Sequence, residues 1–357
     1  RYIRYDTLCA RMKKRKKVLV FGANGFIGQH LVQGMLETKD WYVIANDLAD
    51  NNIRKFRGNP RFEFHKGTIF NTALMRKLVS RADTVVPLAG IATPKTYILD
   101  PLRVFEVDFE ANLAIVRMCV KAKKRVIWPS TSEVYGMNTD HEFHPEESNL
   151  VTGPINKMRW IYSTSKQMMD RVVFAYGRDK GFQFTIFRPF NWIGYGQDNI
   201  HDTKGNSRLI TQFAGNILRG AHLELVDGGS NRRSFTYIDD CIDALIKIIE
   251  NKKGIASGKI YNIGNPKNNH SIREVAEMML KLAPSYPHFR DRIRDVKIVD
   301  ITSGKHYGEG YQDVINRTPY IRNTKRDLRW NPKTDLRQAL KKIFAAYVDE
   351  LNQGNKR

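Results

Sequence analysis

Through the first half of the chain, short apolar runs alternate with longer segments in which apolar residues recur every three or four positions. The short runs predict buried β-strands, and the periodic segments between them predict amphipathic helices. Strands that alternate with helices in this way predict a parallel, doubly wound α/β sheet. The strand candidates are Lys17–Phe21, Tyr42–Asp47, Phe62–His65, Thr84–Leu88, Arg125–Trp128 and Phe184–Phe187.

The helical patterns divide the chain into two unequal parts. The longest run from about Leu102 to Lys121 and from Lys157 to Tyr176. Beyond Asn191 the sequence is rich in Gly, Asn and Asp, and its helical patterns are shorter. We therefore predict a basic N-terminal tail (residues 1–16), a main domain (17–190) and a smaller C-terminal lobe (191–357) that interleaves with it. The helices predicted in that lobe span residues 209–218, 238–250, 272–282 and 336–351.

The composition narrows the class of protein. The 357 residues include 59 Lys and Arg against 37 Asp and Glu, a formal net charge of +22. Such a charge attracts polyanions, although the basic clusters at 11–17 and 121–125 are also typical of solvated surfaces. No apolar run approaches the roughly 18 residues that cross a membrane, and no signal peptide is visible, so we expect a soluble, cytoplasmic protein. Cys9, Cys119 and Cys241 lie far apart, which fits a reducing compartment and predicts no metal site.

A glycine-rich turn of the form GxxGxxG follows the first predicted strand and opens the first predicted helix. Its glycines allow a tight turn and a close approach of the backbone to a pyrophosphate, which the helix N-terminus stabilises. Asp47, at the end of the next strand, can bind both ribose hydroxyls and would repel a 2′-phosphate. The sequence therefore predicts a Rossmann-like domain that binds NAD. The cofactor residues predicted here are Gly22, Asn24, Gly25, Phe26, Ile27, Gly28 and Asp47.

Tyr162 and Lys166 are four residues apart in a helical pattern. This spacing places a phenol and an ammonium one turn apart on one helix face, where the cation can lower the proton affinity of the phenol. Together with NAD as the hydride acceptor, such a pair can oxidise a sugar hydroxyl. Thr131 would hydrogen-bond that hydroxyl. Ser132 and Glu133 add acid–base or electrostatic capacity that oxidation alone does not need.

These motifs resemble those of extended short-chain dehydrogenase/reductases that act on nucleotide sugars. From about Lys17 to Val348 the chain is similar to the UDP-glucuronic acid decarboxylases, in particular to the decarboxylase domains of bacterial ArnA proteins. The segments that carry the resemblance are Gly22–Gly28, Ile91–Pro94, Pro101–Glu106, Pro129–Met137, Asn156–Lys166, Phe187–Trp192, Asp227–Gly229 and Gly308–Val314.

The resemblance implies an NAD-dependent oxidative decarboxylation of UDP-glucuronic acid to a UDP-4-keto-pentose, with release of CO2 and NADH. Thr68 and Ile69 would contact the adenine, although the family places an Asp where Thr68 stands. The C-terminal lobe would bind the substrate. The catalytic residues would be Thr131, Ser132, Glu133, Tyr162, Lys166 and Arg317. The UDP-sugar would contact Ala92, Tyr97, Arg159, Asn191, Arg208, Arg233 and Tyr311, together with the segment Glu224–Arg233.

Ser132 separates the chain from neighbouring branches of the family. The resemblance places an Asp at this position in sugar-nucleotide 4,6-dehydratases and a Cys in UDP-apiose/xylose synthases. A serine can hydrogen-bond the C6 carboxylate of glucuronate without repelling it, whereas an aspartate would set two like charges together. Glu224 is a second departure, because it stands where the close relative has a Lys.

Two alternative functions remain open, and the resemblance also implies a homodimer. A UDP-xylose synthase would share Ser132, Glu133 and Arg317 but would return the hydride to the product before release. A non-catalytic polyanion-binding protein would explain the net charge of +22, but it predicts degraded catalytic positions and aromatic residues among residues 11–17. Family members imply a homodimer formed through a four-helix bundle of the helices near 102–121 and 157–176. We expect no specific nucleic acid partner and no membrane insertion.

Overall fold

A parallel seven-stranded sheet forms the centre of the fold. The computed structural model describes residues 15–204, 206–302, 312, 314 and 316–354. In chain order the strands are β1 (Lys17–Phe21), β2 (Tyr42–Asp47), β3 (Phe62–Lys66), β4 (Thr84–Pro87), β5 (Arg125–Pro129), β6 (Phe184–Pro189), β7 (Trp192–Ile193), β8 (Leu223–Val226), β9 (Arg232–Ser234), β10 (Thr236–Tyr237), β11 (Lys259–Ile263), β12 (Asn269–Ser271) and β13 (Ile298–Ile301). The order across the main sheet is β3-β2-β1-β4-β5-β6-β11, with every pair parallel. The predicted doubly wound α/β sheet is therefore confirmed.

Helices cover both faces of this sheet. They are α1 (Phe26–Thr38), α2 (Thr72–Arg81), α3 (Pro94–Leu99), α4 (Pro101–Phe105), α5 (Asn112–Lys121), α6 (Trp160–Lys180), α7 (Leu209–Arg219), α8 (Ile238–Glu250), α9 (Ile272–Leu282), α10 (Pro287–Arg290), α11 (Arg322–Leu328) and α12 (Leu336–Gly354). A π-helical turn, Glu106–Ala111, joins α4 to α5.

The two longest predicted helices differ from expectation in detail. The first begins at Pro101, one residue before the predicted start, and ends at Lys121 as predicted, but the π-helical turn interrupts it. The second begins at Trp160 rather than Lys157, because the preceding residues form turns. It continues to Lys180 because Gly181 supplies the left-handed conformation that ends it, with φ of +63°.

Alternation along β1 divides the core between the two faces of the sheet. Val18 and Val20 pack into one apolar cluster, and Leu19 and Phe21 pack into another, all without solvent exposure. This is the period of two that a strand buried on both faces imposes.

The strand order reverses between β1 and β4, which lie side by side in the sheet. In sheets of this kind a crevice opens at such a reversal, beyond the carboxyl ends of the strands, and ligands bind there. The glycine-rich turn follows β1, and Ser130–Glu133 follow β5. The topology therefore brings the predicted cofactor and catalytic segments to one edge.

The C-terminal half contributes to both parts of the fold. It forms small two-stranded sheets, but β11 pairs with β6 in the main sheet. A strand from beyond residue 191 thus lies in the main sheet, while the expected division into interleaved parts at residues 190 and 191 stays a prediction. Cys119 and Cys241 are buried and free. Among the described residues, no helix has the length and apolar character that a bilayer crossing requires.

Candidate active site

The glycine-rich turn leaves room for a ligand at the start of α1. Gly22 has a φ of +72°, and a Cβ there would lie 2.6 Å from Ala89 N. A Cβ on Gly28 would lie 2.3 Å from Gly22 O, so neither position admits a side chain. Gly25 is the N-cap of α1, and within the described part of the chain no side chain caps this helix. The first-turn N–H groups are thus available to an anion, which fits the pyrophosphate of NAD.

Asp47 lies beside this turn. Its Oδ2 accepts a hydrogen bond from Asn24 N at 2.8 Å, and its Oδ1 accepts one from Leu48 N at 2.7 Å. These bonds fix the carboxylate at the end of β2, as recognition of ribose hydroxyls requires. Thr68 and Ile69 follow the neighbouring strand β3, where Thr68 is exposed and Ile69 packs against the core. The residues present therefore fit NAD.

A cavity of about 380 Å³ lies at the carboxyl ends of β4, β5 and β6. Predicted residues from distant parts of the sequence line it together: Thr131, Ser132, Glu133, Tyr162, Lys166, Arg317, Phe26, Ile27, Ala92, Tyr97, Arg159, Asn191, Arg208 and Arg233. Other predicted cofactor residues lie outside its wall: Gly22, Asn24, Gly25, Gly28, Asp47, Thr68 and Ile69. Tyr311 lies outside the described residues. A more open groove of about 1090 Å³ runs between α1 and α8, and no predicted site residue is among its described lining residues.

Tyr162 is buried in the wall of the cavity. Thr131 hydrogen-bonds its hydroxyl, and Tyr97 stacks on its ring with centroids 4.6 Å apart and planes 7° from parallel. Burial raises the pKa of Tyr162 above its ordinary value, and the charges of Asp108 and Glu133 add to this, while the Thr131 bond and Arg208 oppose it. The expectation that Lys166 lowers the proton affinity of the phenol stays a prediction.

The Lys166 ammonium lies closer to a carboxylate than to the phenol. Its Nζ lies 5.8 Å from the centre of the Tyr162 ring but 3.2 Å from Asp108 Oδ1. It also donates a hydrogen bond to Pro129 O at 3.2 Å and lies 4.7 Å from the centre of the Trp128 ring. The carboxylate of Asp108 thus balances the charge of Lys166, the cation that the sequence analysis expected to act on Tyr162.

Asp108 is the functional candidate that the sequence analysis missed. It is fully buried in the π-helical turn, lines the cavity, and accepts a hydrogen bond from Ile91 N at 2.9 Å. Burial raises the pKa of Asp108, although Lys166 pulls in the other direction. The available signal was an acidic residue at a core-facing position between Val104 and Ala111, both of which are buried.

Glu133 lies between two arginines. Its Oε2 is 2.5 Å from Arg159 Nη2, and its Oε1 accepts a hydrogen bond from Arg317 Nη1. Arg159 is 2% exposed and Arg317 is 4% exposed, so this cluster is shielded from solvent. Burial alone would raise the pKa of Glu133, but the two guanidinium charges bring it below its ordinary value. Glu133 is therefore an anion that orients both arginines toward the cavity.

A buried network supports the loop that carries these residues. Asp170, one helical turn after Lys166, accepts hydrogen bonds from Trp128 Nε1 at 2.9 Å and from Ser130 Oγ at 2.8 Å. It also pairs with Arg188 Nη2 at 3.0 Å. This carboxylate ties the ends of β5 and β6 to α6, so rigid elements hold the side chains that the sequence analysis predicts to be catalytic.

The opposite wall carries the predicted substrate residues. Asn191 adopts a φ of +41°, a strained backbone conformation for a residue other than glycine, and its buried Oδ1 has no hydrogen-bond partner among the described residues. Arg208 pairs with Asp198 through two contacts of 2.9 and 3.0 Å. Arg233 Nη1 donates a hydrogen bond to Val314 O at 2.7 Å. The unfilled acceptor of Asn191 suits a ligand hydroxyl or N–H donor, and the arginines suit an anionic group of the ligand.

Known proteins are similar to this chain in sequence and in fold. The sequence profile of the NAD dependent epimerase/dehydratase family matches residues 18–264. The crystal structure of the PbgP3 protein from Burkholderia pseudomallei is 50% identical, covers 95% of this chain and 98% of that chain, and superposes with a TM-score of 0.87.

Two solved structures with lower identity share the fold. UDP-glucuronic acid 4-epimerase from Bacillus cereus, in complex with UDP-glucuronic acid and NAD, is 24% identical, covers 94% of this chain and 99% of that chain, and gives a TM-score of 0.79. dTDP-glucose 4,6-dehydratase from Bacillus anthracis, in complex with NAD, is 22% identical, covers 95% and 98%, and gives a TM-score of 0.76.

Proposed function

The chain belongs to the NAD dependent epimerase/dehydratase family, and within that family we propose that it is a UDP-glucuronic acid decarboxylase of the ArnA type. The cofactor of the family confirms the NAD prediction. The observation that carries the proposal is the convergence, in one cavity, of the Tyr162–Lys166 pair with Ser132 and the cluster of Glu133, Arg159 and Arg317. Tyr162 and Lys166 would carry out the oxidation, and Ser132 with the cluster around Glu133 would bind the carboxylate of the substrate.

The first step is oxidation of C4″ of the glucuronyl ring. The glycine-rich turn, Asp47 and the Thr68–Ile69 segment would hold NAD, which would supply the hydride acceptor when bound. Tyr162 takes the proton of the C4″ hydroxyl, and Thr131, which already hydrogen-bonds the phenol, orients that hydroxyl. Burial raises the pKa of the phenol in the protein without ligands. The positive charge that an oxidised nicotinamide ring would bring beside the phenol would favour its ionisation.

Loss of CO2 follows from the product of oxidation. The new C4″ ketone makes the sugar a β-keto acid, so the bond from C5″ to the carboxyl carbon can break and leave its electron pair in an enolate. The protonated Tyr162 and Thr131 can donate hydrogen bonds to the enolate oxygen. A proton then reaches C5″ to complete the UDP-4-keto-pentose.

The cluster around Glu133 defines the second step. Arg317 holds its proton too firmly to be an efficient acid, so we assign it to the substrate carboxylate, with water as the proton source. Glu133, ionised because its pKa is lowered, orients Arg317 and can hold that water by accepting a hydrogen bond from it. The hydroxide that remains after the water protonates C5″ combines with the released CO2 as bicarbonate. Ser132 donates a hydrogen bond to the carboxylate without adding a like charge.

The remaining assignments concern the UDP-sugar and the assembly. We assign the cavity residues Ala92, Tyr97, Arg159, Asn191, Arg208 and Arg233 to the substrate. Exposed apolar side chains on the helical region 101–121 and on α6 support a homodimer formed there, since such side chains mark contact surfaces. They include Leu102, Met168 and Phe174, which are 72%, 48% and 47% exposed. Light scattering should give a dimer, and a monomer for Met168→Lys.

The decisive experiment incubates the purified protein with UDP-glucuronic acid and NAD and follows both products. Mass spectrometry should show loss of CO2 from the sugar nucleotide, and near-ultraviolet absorbance should show NADH in equal amount. Loss of CO2 without NADH would identify a UDP-xylose synthase instead. No reaction with any UDP-uronic acid, together with salt-dependent RNA binding, would favour the polyanion-binding alternative.

A further inference from the structure

Asp108 combines three features that a merely structural residue does not need. Its carboxylate is fully buried, it contacts the ammonium of Lys166 at 3.2 Å, and it lies in the wall of the catalytic cavity. A Cβ on Gly90 would come within 2.6 Å of Asp108 Oδ1, so the loop must carry glycine there for the carboxylate to approach. Asp108 Oδ2 accepts a hydrogen bond from Ile91 N, which fixes its orientation.

The π-helical turn positions this side chain. A π-turn inserts an extra residue into a helix and often occurs at a functional site. Asn112, at the end of the turn, donates hydrogen bonds to Val107 O at 2.7 Å and to Ala89 O at 3.0 Å. The helix is therefore fastened to the loop after β4 from two sides, by Asn112 and by Asp108.

The charges around the phenol show what Asp108 changes. Lys166 lies one turn along the same helix, Glu133 and Arg208 act on Tyr162 from other elements, and Tyr97 stacks on its ring. Asp108 faces both the phenol and Lys166, so it cancels the cation at short range. This end of the cavity is then close to neutral before ligands bind.

We propose that Asp108 is a positioning residue of the oxidation step, which holds Lys166 Nζ at the end of β5 and balances its charge at the place where the nicotinamide must lie. This inference rests on the oxidation step of the proposed function. The base takes its proton from the hydroxyl, and the hydride leaves the carbon that bears that hydroxyl. Tyr162 and the nicotinamide must therefore both contact one carbinol group, which brings the ring near the Asp108–Lys166 pair.

The charge on the nicotinamide makes the proposal testable without any sugar. The oxidised ring is positively charged and the reduced ring is neutral. Asp108→Asn leaves the Lys166 cation unbalanced, so it should weaken NAD binding relative to NADH binding. We expect the dissociation constant for NAD divided by that for NADH to rise about tenfold. This is the size expected for one uncompensated buried charge a few ångströms away.

The measurement uses NADH fluorescence for one dissociation constant and competition by NAD for the other. Asp108→Glu, which keeps the charge, should leave the ratio close to that of the wild type even if both affinities fall. Lys166→Met should move the ratio in the opposite direction and provides the test if Asp108→Asn does not fold. Equal changes in both dissociation constants, or an unchanged ratio, would overturn the proposal. Failure to turn over UDP-glucuronic acid would leave this result interpretable, because no sugar is present.

A second readout is the pH dependence of the oxidation step in a single turnover. A negative charge beside Tyr162 opposes its ionisation, so removing the charge lowers the pKa of the phenol. The rising limb of the rate in Asp108→Asn should therefore move to lower pH, while Asp108→Glu keeps the wild-type midpoint. A slower reaction with the same midpoint in both variants would indicate a structural role and contradict the proposal.

Discussion

Replacement of Glu133 by Gln should separate oxidation from loss of CO2. Glu133 accepts hydrogen bonds from Arg159 and from Arg317, and a glutamine of the same shape offers one oxygen and one NH2 group. One arginine must therefore lose this partner and its orientation. A hydrogen bond to a charged group contributes about 1.5–3 kcal/mol. Because the Glu133 side chain is 17% exposed, we expect a loss near the lower end, about 2 kcal/mol.

The variant should stay folded, because domains have about 5–15 kcal/mol of stability. The CO2 step should slow by about 100- to 10,000-fold, the usual contribution of a positioned acid–base group. Oxidation should persist, because the charge of Glu133 opposes ionisation of Tyr162 and its removal does not hinder the phenol. The prediction is therefore NADH without a matching amount of CO2.

The assay is a rapid-quench reaction with UDP-glucuronic acid, read by mass spectrometry and by NADH absorbance. Glu106→Gln is the matched control, since Glu106 forms an exposed pair with Arg103 at 2.8 Å and should retain full activity. A wild-type rate of CO2 release in Glu133→Gln would remove Glu133 from the mechanism. Equal loss of NADH and CO2 would assign it to binding or oxidation instead.

Other predictions concern the cofactor, the substrate carboxylate and acid stability. Gly22→Ala should weaken NADH binding by about tenfold or more, because its Cβ would lie 2.6 Å from Ala89 N. The control is Gly181→Ala, which is also at positive φ but has open space around it. It should lower the free energy of unfolding by only about 1 kcal/mol in a thermal melt and leave NADH binding intact. Ser132→Asp should lower kcat/KM for UDP-glucuronic acid by about tenfold or more, and further than Ser132→Ala does, since only the former adds a like charge; similar values for both would contradict the carboxylate assignment. Because the pKa of Glu133 is lowered on folding, its stabilisation is present above the unfolded pKa and disappears as pH falls through the folded pKa. Glu133→Gln should thus destabilise the protein more at neutral pH than in strong acid. An equal effect at both pH values would refute the ion pairs of Glu133 with Arg159 and Arg317.

The main sheet and the long helices could be predicted because their apolar periodicity is strong. The ends of β1, β2 and α8 agree with the sequence pattern. The strands of two to four residues in the C-terminal half were not predicted from the sequence, because such short elements have no periodicity and form only through tertiary pairing. β11 is longer, but its place in the main sheet is a long-range pairing that local sequence does not encode.

The site shows a similar division. Motif spacing and the family resemblance selected Tyr162, Lys166 and Glu133, which the fold brings to one cavity. The electrostatic balance could not be read from spacing, because Asp108 belongs to another helix and reaches Lys166 only through the π-helical turn. A helix pattern predicts which face is buried, but not that a buried carboxylate will offset a cation 58 positions away in the chain.

The pairing of β11 with β6 has a practical consequence for dividing this protein. A fragment that stops near residue 190 would keep the glycine-rich turn, yet it would lose β11 and expose the backbone groups of β6 that β11 pairs with. An unpaired, apolar border strand of that kind recruits other chains. Expressed alone, the N-terminal portion should therefore aggregate, and co-expression with residues 191–357 should rescue its solubility.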